Sequence, residues 1–166
     1  YGPHSNPWTV RPIQLIKSGL MILFYGGTGL CNYVYIDNLL DATLAATKRD
    51  ESMGEVSLVS DGAPVTWKEF FGYYAQMAGK PRIRSVPEWI GKVIALSMEI
   101  SSKLTGKPPK ITREAVGFLT RKARFSIEKA RHELGFQSRF SLEEGMKLTE
   151  QWLREAGYLP RAGRRS

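Results

Sequence analysis

The sequence predicts a mixed α/β domain with more helix than strand. Three observations carry that expectation. Residues 26–46, GGTGLCNYVYIDNLLDATLAA, hold a glycine turn, a β-prone run and an alanine-rich helix in direct succession. Thr66 with Glu69, and Ser141 with Glu144, have the spacing at which each side chain caps a backbone N–H of the other residue. Short apolar runs bounded by glycine or proline recur at 20–25, 55–60 and 83–86, too short for helices and suited to strands. The expectation is about four short strands and five or six helices, without a complete doubly wound sheet.

Taken in order, residues 1–7 contain Gly2, Pro3 and Pro7 and read as a loop. Trp8, Ile13, Leu15 and Ile16 favour a short helix over 8–17, with Pro12 obscuring its start and Gly19 ending it. Residues 20–25 form a buried strand. Gly26, Gly27 and Gly29 then make a tight, hairpin-like turn, read in preference to a phosphate cradle because a strand follows and not a helix. Residues 32–36 form the next strand, and Asp37 caps a helix whose buried face is expected to carry Leu40, Thr43, Leu44 and Thr47.

After a polar loop at 48–54, residues 55–60 form a strand closed by Asp61 and Gly62. The helix that follows the Thr66/Glu69 cap presents Trp67, Phe70, Phe71, Tyr74 and Met77 at helical spacing, which reads as core packing. Pro87 starts a helix reaching Leu104 whose apolar residues cover more than one face, as in a helix covered on two sides or walling a lipophilic pocket. A membrane-surface role for it, flanked by Lys92, Lys103 and Lys107, is the weaker reading. Short helices follow over 112–119 and from Ser126 to Gly135, then a last one from Ser141 to Gly157. Arg121, Lys122 and Arg124 between them read as surface charge.

Tyr1 to Pro3, the run from Asn32 to Asn38, the stretch 59–62, Pro64-Val65-Thr66 and the run from Phe125 to Phe136 occur in an order that resembles the C-terminal half of an extended short-chain dehydrogenase/reductase, in the NAD-dependent epimerase/dehydratase superfamily. The resemblance reaches about Leu159 and implies an incomplete Rossmann-type fold: residues 1–160 as the C-terminal, substrate-binding portion and 161–166 as a basic tail. It implies NAD or NADP as cofactor of the intact member, held elsewhere than in this chain. Neither the glycine-rich pyrophosphate motif nor a Tyr-x-x-x-Lys pair occurs in the sequence, so no catalytic and no cofactor-binding residue is assigned.

The resemblance places Tyr1, His4, Asn6 and Asn32 on the substrate side. Where nucleotide-sugar members carry a phosphate-clamping arginine, this sequence has Cys31, which cannot offer a bidentate fork. A later Arg-x-Gly-Asp pattern is absent as well. Both departures point to the 3β-hydroxysteroid dehydrogenase-like branch and to a hydroxyl or carbonyl on an apolar ring. The alternatives are a sugar-nucleotide epimerase or dehydratase portion, or a non-catalytic basic interaction module.

Composition fits one globular domain: 166 residues, 42% hydrophobic and 24% charged. No apolar run approaches the roughly 20 residues of a membrane span. The single Cys31 cannot form an internal disulfide, which favours a reducing cytoplasm, and reads as a small buried hydrophobe. The net charge is +8, but Arg161, Arg164 and Arg165 supply three of it and the other cations are scattered, so no specific nucleic-acid site is expected. His4 and His132, the only histidines, lack a metal-ligand spacing. The strand edges left by an incomplete sheet predict a homodimer, a swapped arrangement or a partner half.

Overall fold

The computed structural model describes residues 1–106, 108–109 and 112–161. Of the expected basic tail only Arg161 falls within that range; residues 162–166 lie outside the described residues, as does Lys107.

A π-helical segment, Asn6–Val10, runs directly into helix α1, Arg11–Lys17, with Pro12 tolerated in its first turn, where backbone N–H groups lack partners anyway. Strand β1, Ile22–Phe24, lies parallel to β4, Arg84–Val86. Strand β2, Leu30–Cys31, lies antiparallel to β3, Val65–Thr66. These four short strands form two separate pairs, so the turn at Gly26 and Gly27, at φ of 69° and 70°, is not a hairpin. It hands the chain from one pair to the other. The fold is α/β and dominated by helix, as expected, with seven α-helices among the described residues where five or six were predicted.

Helix α2, Ile36–Thr47, departs from the sequence reading twice. It begins before Asp37, with Tyr35 at the N-cap. Tyr35 N donates to Asp61 Oδ2 at 3.0 Å and Ile36 N to the Tyr1 carbonyl at 3.0 Å, so partners distant in sequence satisfy the start of the helix and Asp37 is not needed there. The helix also buries the opposite face from the one predicted. Ala42 is 2% exposed and packs with Ala45 and Ala46 against helix α6, Glu128–Leu134, while Leu40 and Leu44 are 51% and 57% exposed. Small side chains allow a closer helix approach than the leucines would.

Residues 55–60 form no strand. Among the described residues Val56 to Ser60 find no hydrogen-bonding neighbour. Helix α3, Trp67–Met77, begins at the predicted Thr66/Glu69 capping box, and helix α7, Leu142–Glu155, at the Ser141/Glu144 box. Phe70, Tyr74, Met146 and Leu153 of these helices, with Ile13 of α1, form the main core, each 1% exposed or less. Helix α4, Glu88–Thr105, packs against β1 and helix α5, Arg113–Thr120, through Ala95, which is fully buried. It is covered on this one side only, contrary to the reading of a helix enclosed on two: Trp89, Val93 and Ile100 are 66%, 59% and 53% exposed. No described helix is long and apolar enough to cross a membrane.

Candidate functional site

Three segments converge around β2. Leu30 N donates to Arg121 O at 2.8 Å, laying the stretch that leaves α5 alongside the strand. Asn32 extends this seam with its side chain: Nδ2 donates to Ala123 O at 3.0 Å and Oδ1 accepts from Phe125 N at 3.0 Å. On the other side, Trp67 N donates to Gly29 O at 3.0 Å and brings the start of α3 against the turn. These segments enclose a cavity of about 130 Å³ lined mainly by rings, including Trp8, Tyr33, Trp67, Phe70, Phe118 and Phe125.

The rings hold one another in place. Trp8 stacks on Trp67 at 5.8 Å with 16° between planes, Trp67 stacks on Phe71 at 5.4 Å, and Phe118 lies 5.7 Å from Trp67. Such pairs favour offset and edge arrangements and contribute beyond the area they bury. Among the described residues the buried indole Nε1 of Trp67 has no hydrogen-bond partner, so the wall keeps one unsatisfied donor among its rings. Arg121 is the one cation lining the cavity, and among the described residues its guanidinium has no hydrogen-bond or ion-pair partner. A volume near 130 Å³ is close to that of a protein cavity that takes up benzene, and well below the several hundred Å³ of a site enclosing a whole drug-sized ligand. The cavity, half open to solvent, therefore has space for about one ring.

Of the four residues singled out from sequence, the structure brings two to this cavity. Tyr1 lines it with its ring, 5.4 Å from Phe70 and 6.1 Å from Tyr33. Its hydroxyl donates to Leu142 O at 3.3 Å, and burial pushes its phenol pKa well above the usual value, so it serves as a neutral wall. Asn32 also lines the cavity, with both amide ends bonded to the 123–125 backbone, and so shapes the wall. His4 is elsewhere, its ring 4.9 Å from Trp152, and Asn6 is exposed in the π-helical segment. The aromatic stripe of α3, read from sequence as core alone, is both core and cavity wall. Arg121, read as surface charge, stands at the cavity. No signal within α3 or the basic cluster separates these roles; only the crossing of β2 by the 121–125 stretch does.

Cys31 also lines the cavity and is 4% exposed. Burial pushes its thiol up to about 12, where the reactive thiolate is scarce at neutral pH. A thiol reagent at pH 8 is therefore expected to modify native Cys31 at least about 1,000-fold more slowly than a free thiol. The check is a stopped-flow thiol assay with and without denaturant; a rapid phase in the native chain would show a thiolate that this environment does not permit.

Beside the cavity, Asp61 is held in a half-buried knot. Asn38, fully buried, donates to Asp61 Oδ1 and to Phe140 O, each at 2.8 Å, and accepts from Arg139 N and Phe140 N, each at 3.0 Å. Burial raises the Asp61 carboxyl above its ordinary range, and the hydrogen bonds from Asn38 and Tyr35 N oppose that shift. Among the described residues no cluster of side chains suits a metal ion.

No protein-family model matches the chain. It is 31% identical over 166 residues to the uncharacterized protein YbjS of Escherichia coli, covering 97% of this chain and 49% of that protein. It is 30% identical over 177 residues to the bovine short-chain dehydrogenase/reductase family 42E member 1, covering 98% of this chain and 44% of the relative. A fission yeast sterol-4-alpha-carboxylate 3-dehydrogenase is 26% identical over 161 residues, with 92% and 47% covered. Among solved structures, gox2253 aligns with a TM-score of 0.67 at 25% identity, covering 95% of this chain and 47% of that one. The UDP-glucuronic acid 4-epimerase of Bacillus cereus, solved with NAD, shares the fold with a TM-score of 0.60 at 19% identity, over 94% and 42%. The chain spans about half the length of the curated relatives it matches.

Proposed function

We propose that this chain, which belongs to the short-chain dehydrogenase/reductase superfamily in its extended, epimerase/dehydratase-type form, supplies the substrate-binding portion of an NAD(P)-dependent oxidoreductase. The substrate is a compound with a hydroxyl or carbonyl on an apolar ring. The carrying observation is the cavity beside β2, walled by rings and sized for one of them. An apolar ring entering it exchanges water for aromatic surface, at roughly 25 cal/mol for each Å² removed from water. The similarity to a sterol dehydrogenase agrees with that chemistry.

In this proposal the pocket binds and orients the ring, and Trp8, Trp67 and Phe118 exclude water from it. The dinucleotide, when bound in the whole enzyme, supplies hydride exchange. The sequence carries neither the glycine-rich dinucleotide motif nor a Tyr-x-x-x-Lys pair, so residues outside this chain hold the dinucleotide and move the proton.

Arg121 favours a second reading, in which the guanidinium meets the diphosphate of a sugar nucleotide. One experiment separates the two. The Trp8/Trp67 stack is at the cavity, so tryptophan fluorescence of the chain reports occupancy. Titration with a saturated 3-keto steroid is expected to give saturable quenching that Phe118→Ala weakens, while UDP-glucuronic acid and NADH give none. Saturable binding of UDP-glucuronic acid, lost in Arg121→Ala, would replace the apolar-ring reading with the sugar-nucleotide one. Saturable NADH binding would overturn the division of labour.

A further inference from the structure

Among the described residues a single buried side-chain polar atom lacks a hydrogen-bond partner, and its residue stands in the cavity wall: Nε1 of Trp67, whose side chain is 3% exposed. The other polar groups of the wall are met. The Asn32 amide is bonded at both ends, the Tyr1 hydroxyl donates to Leu142 O, and Arg121 is exposed, where water reaches its guanidinium. Buried donors are so generally satisfied in folded chains that an exception calls for a partner.

Water is a poor candidate for that partner. A buried water holds its place through two to four polar contacts. The indole of Trp67 is ringed instead by Trp8, Phe70, Phe71 and Phe118, which offer it no conventional acceptor. A segment outside the chain is excluded by the same packing: this chain's own residues already close Nε1 off, and the cavity is the approach they leave.

We infer that Trp67 is a specificity-determining residue, its indole N–H donating to an acceptor oxygen carried on the leading end of the ring that enters the cavity. This role rests on the apolar-ring reading above and narrows it, since a bare hydrocarbon ring fills the space and leaves the donor unmet. An indole is a donor only, so the oxygen must offer a lone pair. Trp8 makes the room. It is 41% exposed, and its stack on Trp67 is its one ring contact among the described residues. A tilt of Trp8 gives up that contact and opens the approach to Nε1, a side-chain adjustment of a kind common on binding.

Two small probes isolate the donor. Cyclohexanone and methylenecyclohexane share ring and shape, and only the first carries an acceptor. Heteronuclear NMR spectra resolve the indole N–H groups of Trp8, Trp67, Trp89 and Trp152, of which only the first two belong to residues lining the cavity. Cyclohexanone is expected to move the Trp67 indole proton downfield and saturably, with Trp89 and Trp152 unmoved. Methylenecyclohexane is expected to move the Trp8 signal without that downfield shift. Trp67→Phe keeps a ring in the wall and removes the donor. Followed through Trp8, it is expected to weaken cyclohexanone about tenfold and to leave methylenecyclohexane within about twofold.

An equal effect of Trp67→Phe on both probes would overturn the role of Trp67 and leave the apolar-ring reading standing. So would a Trp67 indole proton that lies upfield in the free chain and that bound cyclohexanone leaves in place, the mark of an N–H turned onto the Phe70 face. Binding of neither probe would overturn both readings. If Trp67→Phe does not fold, the indole shift in the unaltered chain decides alone.

Discussion

Asn38→Ala is expected to lower the stability of the fold by about 3–5 kcal/mol. The asparagine, itself fully buried, carries two donated and two accepted hydrogen bonds. Its loss leaves two backbone N–H groups at 139 and 140, the Phe140 carbonyl and one oxygen of Asp61 without those partners. At about 2–4 °C per kcal/mol for a chain of this size, the midpoint of thermal unfolding falls by roughly 10 °C or more.

The effect has a pH signature. Burial already raises the Asp61 carboxyl in the folded chain above its unfolded value, and the Asn38 bond is one of the groups holding it down. With a raised folded value, the native state binds the proton more tightly than the unfolded state. Stability from this group is therefore fully present below the unfolded value and lost as pH rises through the folded one. Without Asn38 the carboxyl rises further and the loss above it grows. The variant is thus expected to be closest to wild type at acid pH and furthest from it near neutrality. Denaturant melts at pH 4 and pH 7 check this; an equal deficit at both would mean that Asp61 is not charged in the native chain.

Gly29→Ala is expected to cost about 2–4 kcal/mol and to disturb the cavity at the same time. A Cβ at Gly29 would lie 2.1 Å from the Leu119 carbonyl oxygen and 2.9 Å from its carbon. Those atoms are backbone at the end of α5, so no side-chain rotation relieves the clash. Either β2 or the end of α5 must shift, and with the latter move Phe118 and Arg121 at the cavity. The control lies in helix α5 itself: at Gly117 an added Cβ meets nothing within 4 Å, and Gly117→Ala is expected to be neutral or slightly stabilising. Thermal melts with Trp8/Trp67 fluorescence as a second probe test both. A Gly29→Ala chain with native stability and an unchanged fluorescence spectrum would show that the turn has room that its geometry denies.

How far the sequence goes depends on the range of the interaction that decides each feature. The capping boxes at Thr66/Glu69 and Ser141/Glu144 were legible because each is closed within four residues. So were the glycine stop at Gly135, at φ of 65°, and the aromatic face of α3. The order of motifs also pointed to the superfamily that the relatives support.

Where a distant segment decides, local reading turned the wrong way. In α2 hydrophobicity put Leu40 and Leu44 inside, yet Ala42 and Ala45 pack against α6, because close helix approach rewards small residues and the leucines had no cavity to fill. Asp37 has good capping chemistry, but Asp61 and the Tyr1 carbonyl reached the start of that helix first. Residues 55–60 have strand composition without forming a strand, since a ladder needs a partner that composition cannot name.

The sequence by itself therefore determined the helix-rich α/β class, the local caps and stops, the absence of a dinucleotide motif in this stretch, and the aromatic residues available for a pocket. Tertiary structure alone decided that Tyr1 and Asn32 share a cavity while His4 and Asn6 do not, that Arg121 joins it, and that α4 shows its apolar seam outward. The physical reason is one of range. Caps and periodicity are set by neighbours a turn away, whereas a cavity and a bare helix face are set by which distant backbones cross, here at Leu30 with Arg121 and Asn32 with Phe125.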